Sequence, residues 1–139
     1  NFIECEVAEE LGKTVLFFGT KGFVKKVYPT GQNEEILRRN YMGNRVILGV
    51  RSEDIYAREE AEKKGLLKNS IGIKETVINR EMLGAEIMLY FEEQDRTCAV
   101  RLEPSNRTKV WEEIDLYFDM EKIHIFDIDT EENILYRRR

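Results

Sequence analysis

The sequence predicts an all-β fold, an antiparallel barrel of short strands interrupted by one helix. Three observations carry this. Apolar and polar residues alternate in segment after segment, turn residues part those segments at spacings of about a dozen, and one stretch alone has helix-end signals at both ends.

Taken in order, Phe2 to Glu9 reads as the first strand, and Thr14 to Phe18 and Gly22 to Val27 as a hairpin joined by the "GTKG" of Gly19 to Gly22. Glycine supplies the positive φ that such a tight connection needs. The helix follows Pro29-Thr30 as "GQNEEILRRNYMG". It has Glu34 and Glu35 in its first turn, Arg38 and Arg39 in its last, and Gly43 placed to take a left-handed cap. Val46, Leu48 and Val50 then share one strand face, as do Ile87, Leu89 and Phe91, Cys98, Val100 and Leu102, and Ile114, Leu116 and Phe118. "AREEAEKKGLLK" from Ala57 to Lys68 is densely charged with a weak helical period broken at Gly65, which predicts a solvated connection or a short helix. Gly84 sits between a strand ending near Met82 and one starting near Glu86, a place for positive φ or close approach. The economical sum is one or two antiparallel OB-like barrels with one short helix. Two closely packed sub-lobes are expected, roughly 1–56 with 110–135 and 70–105.

Length and composition bound what such a barrel can do. A chain of 139 residues buries roughly two-thirds of its unfolded surface, enough for a core without metal or disulfide. With 35% charged and 42% apolar residues it is a globular domain. The formal net charge of -5 leaves no broad positive field for nucleic acid, and the only basic run is Arg137-Arg138-Arg139, read as a solubilising tail. No apolar stretch approaches the ~20 residues of a membrane helix. Cys5 and Cys98 fall in separate strands with no signal peptide ahead of them, which predicts reduced, buried thiols in a cytosolic setting. The chain opens on Asn1 without a Met, as a piece of a longer protein would.

Several chemistries are excluded residue by residue. No G-x-x-x-x-G-K-[ST] occurs, so the phosphate-cradling loop is absent. His124 is the single histidine, and its alternation within "KIHIFD" reads as a packed or rim position. "DIDTEEN" from Asp127 has the start of a calcium loop, but Glu132 replaces the sharp-turn glycine and Arg138 the closing glutamate, so it reads as an acidic turn. Glu53/Asp54 and Glu112/Glu113 are adjacent pairs whose side chains diverge, and neither suits shared acid and base work. "GTKG" matches an RNA-clamping tetrapeptide, but between strands it is a hairpin turn. The "NRT" at Asn106 is a glycosylation sequon without a secretory signal. No catalytic, cofactor or metal residue is assigned.

Four segments in order, "NFIECEV" at 1–7, "ILGVRSEDI" at 47–55, "EMLGAE" at 81–86 and "YFDMEKIHIFDIDTEENIL" at 117–135, resemble the C-terminal regulatory region of ATP-binding subunits of maltose-type ABC carbohydrate importers. The second resembles the family's G-[IV]-R-P-E-D-[IL], matching at Gly49, Arg51, Glu53, Asp54 and Ile55. Ser52 stands for the usual proline, where a serine can still fix the turn by accepting a backbone N–H. Arg51 is expected to cap or salt-bridge its own turn. Leu83, Gly84, Glu86, His124, Phe126 and Asp127 are the matching residues of the later segments, and Glu131 replaces the glycine of the family's D-x-x-T-G turn.

The resemblance implies a non-catalytic, regulatory and dimerising domain with an upstream ATPase core absent from this chain. ATP and magnesium would belong to that core. The implied partners are a second copy of the subunit, permease subunits reached through the core, and a regulatory protein, with no nucleic acid and no membrane insertion. The place would be cytoplasmic, peripheral at the inner face of the cell membrane. Two alternatives from other classes remain: a small-ligand barrel sensing an oxyanion or sugar, and a stand-alone nucleic-acid-binding OB barrel. For self-association, "EKIHIFDI" is apolar on both strand faces, and small barrels keep partly open edges.

Overall fold

The computed structural model describes residues 1–20, 23–68 and 70–136. Strands β1 (Phe2–Glu10), β2 (Lys13–Thr20) and β3 (Phe23–Val27) are followed by helix α1 (Gly31–Asn40), β4 (Arg45–Gly49), β5 (Ile55–Ala57) and helix α2 (Arg58–Lys63). Then come β6 (Ile73–Thr76), β7 (Asn79–Leu83), β8 (Glu86–Glu93), β9 (Arg96–Leu102), β10 (Glu113–Phe118) and β11 (His124–Asp127). They form a five-stranded sheet in the order β11-β4-β1-β2-β3 and two three-stranded sheets, β5-β10-β6 and β7-β8-β9. Every paired strand runs antiparallel to its neighbour.

The alternating sets the sequence shows are the faces these sheets turn inward. Ile3, Cys5 and Val7 of β1, Val46 and Leu48 of β4, Ile87, Leu89 and Phe91 of β8, and Cys98, Val100 and Leu102 of β9 belong to one core with Leu116 and Phe118 of β10. Ile114 is only half-buried at the rim. Two side-chain amides fasten the large sheet to β8 and β9. Gln94 accepts from the Glu4 N–H at 2.9 Å and donates to the Glu4 carbonyl at 2.7 Å, and Asn1 does the same to Ala99, both at 2.8 Å. Each amide imitates a strand neighbour for a backbone group that would otherwise be unpaired.

Tight two-residue turns close the hairpins. Leu11-Gly12 and Gln94-Asp95 both have two positive φ values, which matches the right-handed twist of the strands they join. Gly84, at φ +61, alone takes a positive φ in its turn, and Leu83 pairs with Glu86 across it. In the "GTKG" connection Gly19 has φ +119, while Lys21 and Gly22 lie outside the described residues, as does the Arg137–Arg139 run.

Some expectations are corrected. Gly43 is left-handed at φ +83, but its N–H donates to the Val7 carbonyl at 2.9 Å, so it rejoins β1 rather than closing α1. The charged stretch after Ala57 takes the second of its two expected forms, α2 followed by a 3₁₀ turn over Leu66–Lys68, and Ala61 is small enough to be fully buried. Ser52 does not accept a backbone N–H; its hydroxyl reaches the Glu53 carboxylate at 3.4 Å within a 3₁₀ turn over Ser52–Asp54. The edge of β11 is not open either. Residues 132–134 fold back on it through a Phe126–Asn133 bridge and an Ile134 N–H to Ile125 carbonyl bond of 2.9 Å.

The turn that starts this return is tight despite lacking the glycine. Glu131 takes φ +60 and donates its N–H to the Asp127 carbonyl at 2.8 Å. A side chain there is strained, and the exposed Glu131 carboxylate shows no bond that offsets the strain. Glu131→Gly is therefore expected to stabilise the chain by about 0.5–1 kcal/mol, read as a rise in the urea midpoint. A lowered midpoint would mean that the Glu131 side chain holds the turn.

Candidate functional site

Residues 47–55 leave the five-stranded sheet and enter the β5-β10-β6 sheet, and residues 118–124 make the return crossing. The two crossings lie side by side. Asp54 is buried, its carbonyl accepts from the Asp119 N–H at 2.9 Å, and the Lys122 ammonium stands 4.0 Å from its carboxylate. Glu53 and Arg51 point to solvent. No ion pair or cap holds the Arg51 side chain among the described residues, so the expected local salt bridge does not form.

Gly49 ends β4 for a steric reason. A Cβ there would stand 2.9 Å from the Phe126 ring and 3.4 Å from that of Phe2. The two rings meet edge to face, with centroids 6.0 Å apart and planes at 65°, over the bare backbone of Gly49. His124 is the register partner of Gly49, its ring centroid 6.4 Å from that of Phe126, and its Nδ1 lies 3.4 Å from the Asn133 amide. Asp127 faces inward and ties the strand to α1, accepting from the Tyr41 hydroxyl at 2.8 Å.

The structure thus gathers Gly49, His124, Phe126 and Asp127 at the β4–β11 edge of the large sheet. It leaves Leu83, Gly84 and Glu86 in the β7–β8 hairpin, where Glu86 pairs with Arg101 at 3.0 Å and Leu83 is half exposed. Residues outside the candidates drawn from the sequence complete the surface: Phe2, 56% exposed, and Ile47, Arg96 and Glu131 line a cleft of ≈ 350 Å³ with Phe126. A signal for two of them was present. Phe2 and Ile47 are apolar but out of phase with the inward set of Ile3, Cys5, Val46 and Leu48, so they had to face away from the core.

Neither cysteine joins this surface. Cys5 and Cys98 are free and buried, and burial, reinforced by the Glu93 carboxylate, pushes both thiols up, so they pack as protonated apolar groups. Among the described residues no group of three or more His, Cys, Asp or Glu side chains is placed to hold a metal ion.

No protein-family model matches the chain. The oligosaccharides import ATP-binding protein MsmX of Bacillus subtilis is 34% identical over 106 residues, 76% of this chain and 28% of the relative. The trehalose/maltose import ATP-binding protein MalK of Thermococcus litoralis is 31% identical over 130 residues, 94% of this chain and 33% of the relative. The chain is homologous to a segment of ABC importer ATP-binding subunits. A third such subunit, the uncharacterized ABC transporter ATP-binding protein YcjV of Escherichia coli, is 36% identical over 86 residues, 62% of the chain and 22% of the relative. The chain spans between a fifth and a third of the length of these curated relatives.

Among solved structures, the cytoplasmic molybdate-binding protein ModG with molybdate bound superposes with a TM-score of 0.61 at 11% identity, covering 90% of this chain and 94% of that one. At that identity the likeness is one of fold, and the fold is of OB type.

Proposed function

We propose that the chain is a non-catalytic regulatory and dimerisation domain of the ATP-binding subunit of an ABC importer, with carbohydrate as the transported class. The observation that carries this reading is the aromatic surface of Phe2, Phe126 and Ile47. It is an apolar cleft on the outer face of the large sheet, rimmed by Arg96 and Glu131. A solvent-facing aromatic pair over a glycine suits a partner's side chain, and opposite charges on the rim suit a self-complementary contact with a second copy. Pairing proceeds by this face rather than by strand addition at β11, since residues 132–134 cover that edge. In the proposed parent, ATP and magnesium are handled by other parts of the subunit, permease contacts are made there too, and the domain sits at the cytoplasmic face of the membrane. Among the described residues no helix is long and apolar enough to cross a membrane.

Sedimentation equilibrium of the full-length subunit without nucleotide tests the proposal. Phe2→Ser, a change at a half-exposed ring, is expected to weaken the dimer at least about tenfold, as loss of an interface anchor does, while lowering the thermal transition of the monomer by only a few degrees through loss of the Phe126 contact. An unchanged dimer would transfer the face to docking of a regulatory protein.

A second reading has one observation in its favour. The fold neighbour binds molybdate, and a separate cleft of ≈ 710 Å³ here includes Lys13, Tyr28, Arg38 and Lys68. Glu34 already neutralises Arg38 at 3.2 Å and Glu10 shares the cleft, which favours the first reading. Equilibrium dialysis with molybdate separates the two.

A further inference from the structure

The three sheets meet at a charged group inside the molecule. Lys25 of β3 extends its ammonium to Glu75 of β6 at 2.9 Å and to Glu93 of β8, so one residue from each sheet converges on one point. Glu75 and Glu93 are 5% and 2% exposed, and the Lys25 side chain 20%. Two carboxylates therefore share one cation where water is nearly excluded.

The hydrogen bonding is incomplete in a specific way. Lys25 reaches one oxygen of each acid, while Glu75 Oε2 is buried with no donor among the described residues. The two carboxyls also contact the same ammonium, so ionised together they would set two negative charges against one cation with no donor between them, because both would be acceptors only. One proton resolves both problems, since a protonated Glu75 donates to Glu93 and the remaining pair balances Lys25.

Among the described residues the other titratable groups around this point do not supply a second cation. Cys5 of β1 and Cys98 of β9 are buried thiols. On β10 the register partner of Glu75 is Ile114, and Asp115 pairs with Lys74 on the opposite face of that sheet.

We infer that Lys25, Glu75 and Glu93 form a one-proton latch: the two acids share a proton while Lys25 bridges them, and losing that proton loosens the junction of the three sheets. The inference stands apart from the proposed dimer face. It makes domain cohesion sensitive to pH across the neutral range.

The sign follows from linkage. Burial, then the neighbouring Glu93, push the Glu75 carboxyl up to about 8, above the value of the unfolded chain. The folded state then keeps a proton that the unfolded state has released. The resulting stability is fully present below the ordinary glutamate range and is lost as pH rises through the folded value. The proton belongs to the pair, so either acid can be used to remove it.

The decisive measurement is a carboxyl ¹³C NMR titration of the chain labelled at glutamate, from pH 4 to 10. One carboxyl is expected to titrate with a midpoint near 8, and the signal is expected to vanish in Glu75→Gln or Glu93→Gln. In urea denaturation, the folding constant of the wild type is expected to fall about tenfold per pH unit relative to Glu75→Gln up to the midpoint, and to level off above it. Should both glutamine variants fail to fold, the wild-type titration alone decides. Glutamate carboxyls that all titrate below pH 6, or wild-type and variant curves that stay parallel, overturn the latch.

Discussion

Lys25→Met is expected to destabilise the chain by about 3 kcal/mol at pH 8, among the largest single losses available outside the apolar core. Methionine keeps the length and apolar stem of lysine, so packing is little altered. What goes is the cation that Glu75 and Glu93 share, with those carboxylates left 5% and 2% exposed. Breaking a buried pair by deleting one partner costs about 3–5 kcal/mol, because the surviving charge has neither water nor a counter-ion. A fifth of the Lys25 side chain still meets water, which places the cost at the lower end. The loss should shrink on acidification, as protonation of both acids removes the unpaired charge. Lys26→Met is the matched control. Its partner Glu10 is a third exposed, and the 2.7 Å contact between them is a surface pair, so the denaturation midpoint should not move. Urea midpoints at pH 5 and 8 check both. A Lys25→Met loss that is small at pH 8, or equal at the two pH values, would show that the charge group is held by packing alone.

That group shows how much of the molecule the sequence carried. Period-2 alternation placed Val46, Leu48, Ile87, Leu89, Phe91, Cys98, Val100 and Leu102 in the core because burial selects one strand face, a constraint each strand expresses by itself. The same alternation contained the latch. Glu75 lies in phase with Ile73 and Val77, and Glu93 in phase with Ile87, Leu89 and Phe91, so both are acids at inward positions. Alternation cannot say that they converge with Lys25, since β3, β6 and β8 belong to three different sheets whose packing is set by contacts remote in sequence.

The aromatic surface was half legible for a related reason. Phe126 stood out because "KIHIFD" is apolar on both faces, but its neighbours are fixed by the order β11-β4-β1, which joins the end of the chain to its beginning. Phe126 opposes Ile47, and Gly49 lies between Phe2 and His124 in the strand register. The Gly49 match therefore marks a place where two rings rest on backbone. Arg51, singled out beside it, simply faces solvent.

Asp127→Ala is expected to cost about 3 kcal/mol, the sum of several modest bonds to one buried carboxylate. Asp127 is 6% exposed. One oxygen accepts from the Tyr41 hydroxyl at 2.8 Å, and the other from the backbone N–H groups of Asp129 and Thr130 at 2.9 and 3.0 Å. Hydrogen bonds to an ionised acceptor are worth about 1.5–3 kcal/mol each, and a donor left buried without a partner adds its own desolvation. The turn N–H groups are partly open to water and recover some of that loss, which keeps the total near the value for one such bond and part of another. Tyr41 is 8% exposed at the end of α1, so its hydroxyl has less recourse to solvent. Tyr41→Phe isolates that share and is expected to cost about 1.5 kcal/mol, so about half of the Asp127→Ala loss should come from the turn. The turn also positions the return of residues 132–134 onto β11, so the alanine variant should expose the backbone N–H groups of residue 127 and Ile134 to hydrogen exchange while Tyr41→Phe does not. Guanidinium denaturation of the two single variants and the double variant measures the coupling. Equal losses for Asp127→Ala and Tyr41→Phe, with no added cost in the double variant, would mean that the carboxylate serves the helix alone and the turn forms without it.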